Sequence, residues 1–185
     1  MEDFDEGYDH LRPIDTEKEP ALSEYSEVIS EFSKENVRGV SIISCSFMDV
    51  LLERAIKSFL LSCSATNDLV NGFNAPLGTF SAKIKMARAL AIITKEEARF
   101  SDVMRKIRNI FSHTPKVDLE SEEIKNLIGQ LSACAWMEQG KRDADPHMII
   151  YMAAHNLITS FLHRAEHVAK IRLNERTDPW DQGRP

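Results

Sequence analysis

The sequence predicts an all-α fold, a single-domain bundle of five to six helices, and three observations carry this prediction. Apolar residues recur at intervals of three and four along most of the chain, which is the period of an amphipathic helix. No segment of useful length alternates apolar and polar residues as a half-buried strand does. The chain has 185 residues, a length typical of one domain with a substantial core.

The apolar period and the helix-capping residues together place the elements along the chain. Thr94, with Glu97 three residues later, makes a capping box, and Asp145-Pro146 is an N-cap followed by a proline in the first helical position. The segment 64–78, rich in Asn, Gly and Pro, is expected to be a loop. We therefore expect helices over residues 21–35, 36–62, 80–93, 94–113, 121–137 and 146–174.

The ends of the chain differ in composition from its middle. Residues 1–20 are acidic and punctuated by proline, and we interpret them as a disordered arm. Such an arm is most simply a solubilising terminus, and the alternative is a tail that binds a partner. Residues 21–174 form the predicted helical domain, and residues 175–185 are expected to be a disordered tail.

Composition excludes several classes of function. The formal net charge of −6, with both signs interspersed, argues against broad binding of nucleic acid, and we expect no direct binding of DNA. Cys45, Cys63 and Cys134 are odd in number and widely spaced, which is typical of reduced thiols in the cytoplasm. With no signal region and no apolar run of about 20 residues, we expect no membrane segment and a cytoplasmic location.

No established pattern for a cofactor or a metal is present. The glycines do not form a phosphate-binding loop, and no serine or cysteine sits in a nucleophile turn. His163 and His167 are four residues apart, with Glu166 between them and His155 two turns earlier. That spacing can hold zinc, but no further ligand is paired with them, and solvated histidines are the simpler interpretation. We predict no cofactor and no metal site.

The segment Arg108-Asn109-Ile110-Phe111-Ser112-His113 is the strongest candidate for chemistry. His113 can exchange a proton near neutral pH, Arg108 can stabilise charge on a phosphate, and Asn109 can orient either group. Together they suit metal-independent cleavage of RNA, in which the ribose 2′-hydroxyl attacks the adjacent phosphate. The alternative is that they only cap and solvate a helix end. Because Arg108 and His113 lie roughly 140° apart around an ideal helix, a second copy across a symmetric interface is one way to bring them together.

A local basic patch is also predicted within this acidic chain. It draws on two neighbouring helices, and the alternative is an ordinary charged helix face. The predicted patch consists of Lys83, Lys85, Arg88, Arg105 and Lys106.

Two segments carry a resemblance to a known family. Residues 74–90 read NAPLGTFSAKIKMARAL, and residues 104–113 read MRKIRNIFSH. Together they resemble the mannitol operon repressor family of bacterial proteins over about residues 37–135. The resemblance implies an all-α, cytoplasmic bacterial protein that represses transcription, and we further expect the chain to form a homodimer. Since no helix-turn-helix with a basic recognition helix is apparent, it further implies action through a protein partner.

The string Arg108-Asn109-x3-His113 also resembles the R-[polar]-x3-H motif of HEPN domains, which share an all-helical bundle. Many HEPN domains are RNases or toxins that work as dimers with facing motifs. This resemblance implies the alternative function, a metal-independent endoribonuclease or toxin of a toxin–antitoxin or phage-defence system, with RNA as substrate and an antitoxin as partner. One residue departs from the first family: Ile110 stands where an acidic residue is expected.

The sequence thus leaves three hypotheses. The leading one is a regulatory protein of the mannitol-repressor type, and the second is a HEPN-type ribonuclease that uses Arg108, Asn109 and His113. The third is a scaffold with a vestigial motif. Whether the chain is an enzyme stays open at this point.

Overall fold

A computed structural model describes residues 20–32, 34–72, 74–133 and 145–176 of the chain. Within these ranges every regular element is an α-helix, which confirms the all-α class. The helices are α1 Pro20–Phe32, α2 Val37–Phe59, α3 Ser64–Val70, α4 Phe80–Ala89, α5 Lys95–His113, α6 Glu122–Ser132, α7 Pro146–Leu162 and α8 Arg164–Ala169. None of them is both long and apolar enough to cross a lipid bilayer.

The described residues contain eight helices where the sequence predicted five to six, and two segments account for the difference. The predicted loop 64–78 contains α3, which at seven residues is too short to show a helical period. The predicted helix 146–174 divides at His163 into α7 and α8. The predictions for the arm over 1–19, for residues 134–144 and for the tail from 177 onward lie outside the described residues.

Helix α2 is the centre of the bundle. Its 23 residues contact α1, α4, α5, α7 and α8, so it is buried on more than one face. Two serines are also buried there, and they are tolerated because each hydroxyl donates to a backbone carbonyl of the preceding turn, Ser41 to Arg38 and Ser44 to Ser41. The core residues that α2 contributes are Val40, Cys45, Phe47, Met48, Leu51, Leu52, Ala55 and Ile56.

Helix α5 begins at the predicted capping box. The Thr94 hydroxyl accepts from the Glu97 backbone N–H at 3.1 Å, and Glu97 Oε2 accepts from the Thr94 N–H at 2.7 Å. Glu97 is buried, and its second oxygen, Oε1, lies 2.5 Å from Nη2 of Arg164 in α8. The cap therefore also ties the start of α5 to α8.

The far end of α5 is held by an arginine from α2. Arg38 donates one hydrogen bond to the Thr114 carbonyl at 2.7 Å and another to the Pro115 carbonyl at 2.8 Å. Carbonyls at a helix end lack intrahelical partners, and a cation there also opposes the negative end of the helix dipole. Between its two ends α5 buries an apolar stripe of Phe100, Val103, Met104, Ile107 and Phe111.

A short turn joins α4 to α5. Ala91 adopts a left-handed conformation with φ of 56°, and the N–H groups of Ile92 and Ile93 both donate to the Ala87 carbonyl. Ile92 and Ile93 are then buried in the core. Because the turn is this tight, the last turn of α4 lies beside the first turn of α5.

Candidate functional site on helices α4 and α5

Arg108 lies against helix α2. Its side chain is half-buried, and its Nε is buried with no hydrogen-bond partner among the described residues. Cys45 on α2 is one of its neighbours. Burial raises the pKa of the Cys45 thiol to about 12, and both the charge of Arg108 and a hydrogen bond from its side chain oppose that rise. The Arg108 guanidinium therefore approaches the core thiol on α2.

His113 is more exposed than Arg108. It is the last residue of α5, and its side chain is exposed, whereas Asn109 is half-buried. In the part of the chain that the structure describes, no hydrogen bond or ion pair joins Arg108, Asn109 and His113 to one another. A single chain therefore does not bring the arginine and the histidine together. This agrees with the wide angle between them around the helix. Their catalytic role stays a prediction.

Lys83 does not belong to the predicted basic patch. Only 4% of the residue is exposed, and its Nζ lies 3.0 Å from Asp49 Oδ1 and 2.8 Å from Glu53 Oε2, both on α2. A buried ammonium requires such partners because leaving water as an unpaired charge costs several kcal/mol. Lys83 thus joins α4 to α2 and offers no charge to a ligand.

Arg105 and Lys106 also differ from the prediction, because both are paired within α5. Arg105 Nη2 lies 2.7 Å from Asp102 Oδ1, and Lys106 Nζ lies 3.2 Å from Asp102 Oδ2. Burial acts to raise the pKa of Asp102, but the hydrogen bonds from the two cations outweigh it and hold the pKa below its ordinary value. One carboxylate therefore offsets part of the positive charge of this pair.

The other two residues of the predicted basic patch line a cavity. Lys85 and Arg88 on α4 face a cleft of about 500 Å³ between α4 and α5, and Lys95 and Arg99 line it from α5. We call this cavity, with its four basic side chains, the α4–α5 cleft. All four side chains are exposed. Apolar groups of Ile84, Ala89 and Ala98 and the side chains of Ser81 and Asp102 complete its lining.

Sequence reasoning missed two of the four basic residues in the α4–α5 cleft. Lys95 and Arg99 are four residues apart and so share one face of α5, and a connection of five residues places them beside Arg88. The four-residue spacing can be read from the sequence, whereas the end of α4 at Ala89 is known only from the structure. The predicted basic patch instead included Arg105 and Lys106, which lie nearer to His113 along the chain.

The histidines considered for metal binding have other neighbours. His155 Nδ1 lies 2.5 Å from the hydroxyl of Tyr25, which links α7 to α1, and His163 Nδ1 lies 3.6 Å from Glu166. Across the described ranges, no three His, Cys, Asp or Glu side chains are grouped so that they could hold a metal ion.

Comparison with known proteins finds a similar fold in a solved structure. A chain in the X-ray structure of the MtlR–HPr complex from Escherichia coli superposes with a TM-score of 0.54 at 15% sequence identity. The match covers 80% of this chain and 99% of that chain. No family model and no curated protein sequence matches. At this identity the likeness concerns the fold, and at that level it confirms the resemblance to the mannitol operon repressor: the chain has an MtlR-like, all-helical fold.

Proposed function

We propose that the chain is a regulatory protein that acts by binding another protein. The observation that carries this proposal is the MtlR-like fold, seen in a complex of MtlR with HPr and extending over 80% of this chain. The motifs over residues 74–113 support it independently, because they resemble the mannitol operon repressor family in sequence.

The arrangement of the helices favours a protein partner over DNA. The basic helix α4 follows α3, but the connection between them runs from residue 71 to residue 79. A helix-turn-helix joins its two helices through a turn of about three or four residues. Helix α5, the next along the chain, buries its apolar stripe in the core. Neither helix is arranged as a recognition helix that enters a major groove.

Direct binding and transcript measurements test this proposal together. A protein of the HPr type from the same cell is the first partner to try, and we expect saturable binding to the full chain in calorimetry. Deletion of the gene is expected to change the transcripts of at least one operon. His113→Ala serves as a control, because the regulatory function gives His113 no role and this variant should bind as the wild type does. Absence of both binding and any transcript change would contradict the proposal.

A second candidate function, RNA cleavage, is favoured by one observation. The buried Nε of Arg108 has no hydrogen-bond partner in the described residues, and a role in catalysis is one explanation for a buried donor that is left unpaired. His113 is exposed five residues further on. We propose that a homodimer would place Arg108 of one copy near His113 of the other, which a symmetric interface can do.

The RNA-cleavage proposal is tested by incubating the purified chain with mixed RNA in EDTA. We expect cyclic-phosphate ends from the wild type, and a loss of about 10²–10⁴-fold in rate for His113→Ala, since general acid–base catalysis contributes that much. Ser112→Ala, an exposed neighbour on the same turn, is the matched control and should cleave at the wild-type rate. Light scattering should find a dimer. Equal rates for the wild type and His113→Ala would exclude this function and leave the regulatory one untouched.

A further inference from the structure

The α4–α5 cleft carries positive charge that the described residues do not neutralise. Lys85, Arg88 and Lys95 have no ion pair with any residue in the described ranges. The ion pair of Arg99 in these ranges is an exposed contact of 3.7 Å with Glu96, and its guanidinium also lies 5.0 Å from the centre of the Phe100 ring. The one carboxylate in the lining, Asp102, is already paired with two cations of its own helix. Because like charges gathered at a concave surface repel one another, the cleft is suited to an anionic occupant.

The lining also limits what kind of anion fits. Between its basic edges the cleft exposes carbon atoms of Ile84, Ala89 and Ala98, and the accessible surface within it is mainly apolar. An inorganic phosphate would leave that apolar surface uncovered. A peptide that carries both carboxylates and aromatic rings covers it and meets the cations at the same time.

A segment of this composition is present in the chain itself. Residues 1–19 contain eight acidic and two basic side chains, so their formal charge of −6 equals that of the entire chain. The remaining 166 residues have no formal net charge, because they contain twenty-one acidic and twenty-one basic side chains. Phe4 and Tyr8 supply aromatic rings among these carboxylates. The acidic excess and the uncompensated basic cleft are therefore complementary.

The length of this segment is sufficient. Nineteen residues span up to ~65 Å when extended, at ~3.4 Å per residue, whereas a domain of ~150 residues has a radius of gyration of only ~15 Å. The segment joins α1 at Pro20, and α1 packs on α2, the helix that α4 and α5 also contact. A short tether of this kind gives an effective concentration on the order of millimolar.

We propose that residues 1–19 bind in the α4–α5 cleft of their own chain and compete there with other acidic ligands. Their carboxylates are complementary in charge to Lys85, Arg88, Lys95 and Arg99, and their two aromatic residues are suited to the apolar part of the lining. Whichever function the chain performs, the arm would be an internal competitor that an external acidic ligand must displace from the cleft.

Competition by a peptide added in trans tests the proposal on the full chain. A fluorescent peptide of residues 1–19 is titrated with the wild type and with a chain in which Asp3→Asn, Asp5→Asn, Glu6→Gln and Asp9→Asn are combined. We expect the neutralised chain to bind the peptide at least about tenfold more tightly in anisotropy, because its cleft has lost a competitor at high effective concentration. This binding should be lost near 1 M salt, where the Debye length falls to about 3 Å.

Charge reversal in the cleft supplies the matched comparison. Added to the neutralised chain, Arg88→Glu with Arg99→Glu should weaken peptide binding at least about tenfold, by analogy with other interfaces where like charges are opposed. Lys116→Glu with Lys170→Glu makes the same change of charge at exposed sites away from the cleft and should leave binding unchanged. Circular dichroism establishes that each variant is folded.

Three outcomes would overturn the proposal. The first is that the neutralised chain binds the peptide no better than the wild type, which would make the arm a solubilising terminus. The second is that both charge reversals weaken binding equally, which would make the attraction nonspecific. The third is that an RNA oligonucleotide binds the wild type and the neutralised chain in the cleft equally well, because the arm would then not compete for it.

Discussion

Replacing Phe111 with alanine is expected to lower the free energy of unfolding by about 3–5 kcal/mol. Phe111 is 2% exposed and belongs to the buried stripe of α5. Removing its ring loses the transfer free energy of a large apolar group and leaves a cavity that close-packed neighbours fill only in part. The ring lies between Arg108 and His113 along the helix, so the same cavity loosens the last turn that carries the histidine.

Urea unfolding followed by circular dichroism measures this effect. Ser112→Ala is the matched control, because Ser112 is the next residue on the same turn and is exposed, and its replacement should change stability by less than about 0.5 kcal/mol. A loss below about 1 kcal/mol for Phe111→Ala would contradict the packing described here. The comparison also bears on functional assays, since an inactive Phe111 variant would report lost structure, whereas His113→Ala would not.

Replacing Lys83 with methionine is expected to lower the free energy of unfolding at pH 7 by about 2–3 kcal/mol. The variant keeps most of the side-chain volume but leaves Asp49 and Glu53 without their shared cation. Breaking a fully buried pair from one side costs about 3–5 kcal/mol. Here the two carboxylate side chains remain 31% and 27% exposed, and water can solvate them in part, so the expected loss is smaller.

The pH dependence of this loss follows from the pKa of Glu53. Burial acts to raise that pKa, but the hydrogen bonds from Lys57 and Lys83 outweigh it and hold it below the ordinary value of 4.5. A carboxyl whose pKa is lower in the folded state than in the unfolded state stabilises the protein at pH values above the unfolded-state pKa. This contribution is lost as the pH falls through the folded-state pKa. Lys83 has a raised pKa, so its contribution is fully present at neutral pH.

The wild type and Lys83→Met should therefore differ most at pH 7 and converge below about pH 4.5. Lys85→Met is the matched control, because Lys85 is two residues further along α4, exposed and unpaired in the described ranges, and it should match the wild type throughout. Thermal unfolding between pH 3 and pH 7 measures all three proteins. An equal loss for the two lysine variants, or a gap that does not narrow in acid, would contradict the buried ion pair.

The contrast between these two lysines shows how far a sequence can predict this site. Lys83 lies three residues after Phe80 and four before Ala87, both buried, so the helical period already places it on the inner face. What the period cannot supply is the pair of carboxylates on α2 that make a buried ammonium tolerable. Those carboxylates are some thirty residues away in the sequence, and only the packing of α4 on α2 brings them to Lys83.

The fold was predicted more completely than the site because its signals are local. The capping box at Thr94 and the N-cap at Asp145 both lie where the sequence placed them. Helix α3 was missed because seven residues span too few turns to reveal a period. The break at His163 was missed because the apolar pattern continues into α8, where Val168 is buried again.

The central position of α2 has a consequence for synthesis of the chain on the ribosome. Helix α2 ends at Phe59, and α7, which packs against it, begins at Pro146. About 90 residues are therefore synthesised between the end of α2 and the start of the helix that buries part of its surface. At a synthesis rate of roughly 5–20 residues per second, the apolar residues of α2 emerge from the ribosome several seconds before α7 does. The nascent chain is therefore at its most vulnerable to aggregation in this interval, and holding chaperones should increase the soluble yield most if they act before α7 has emerged.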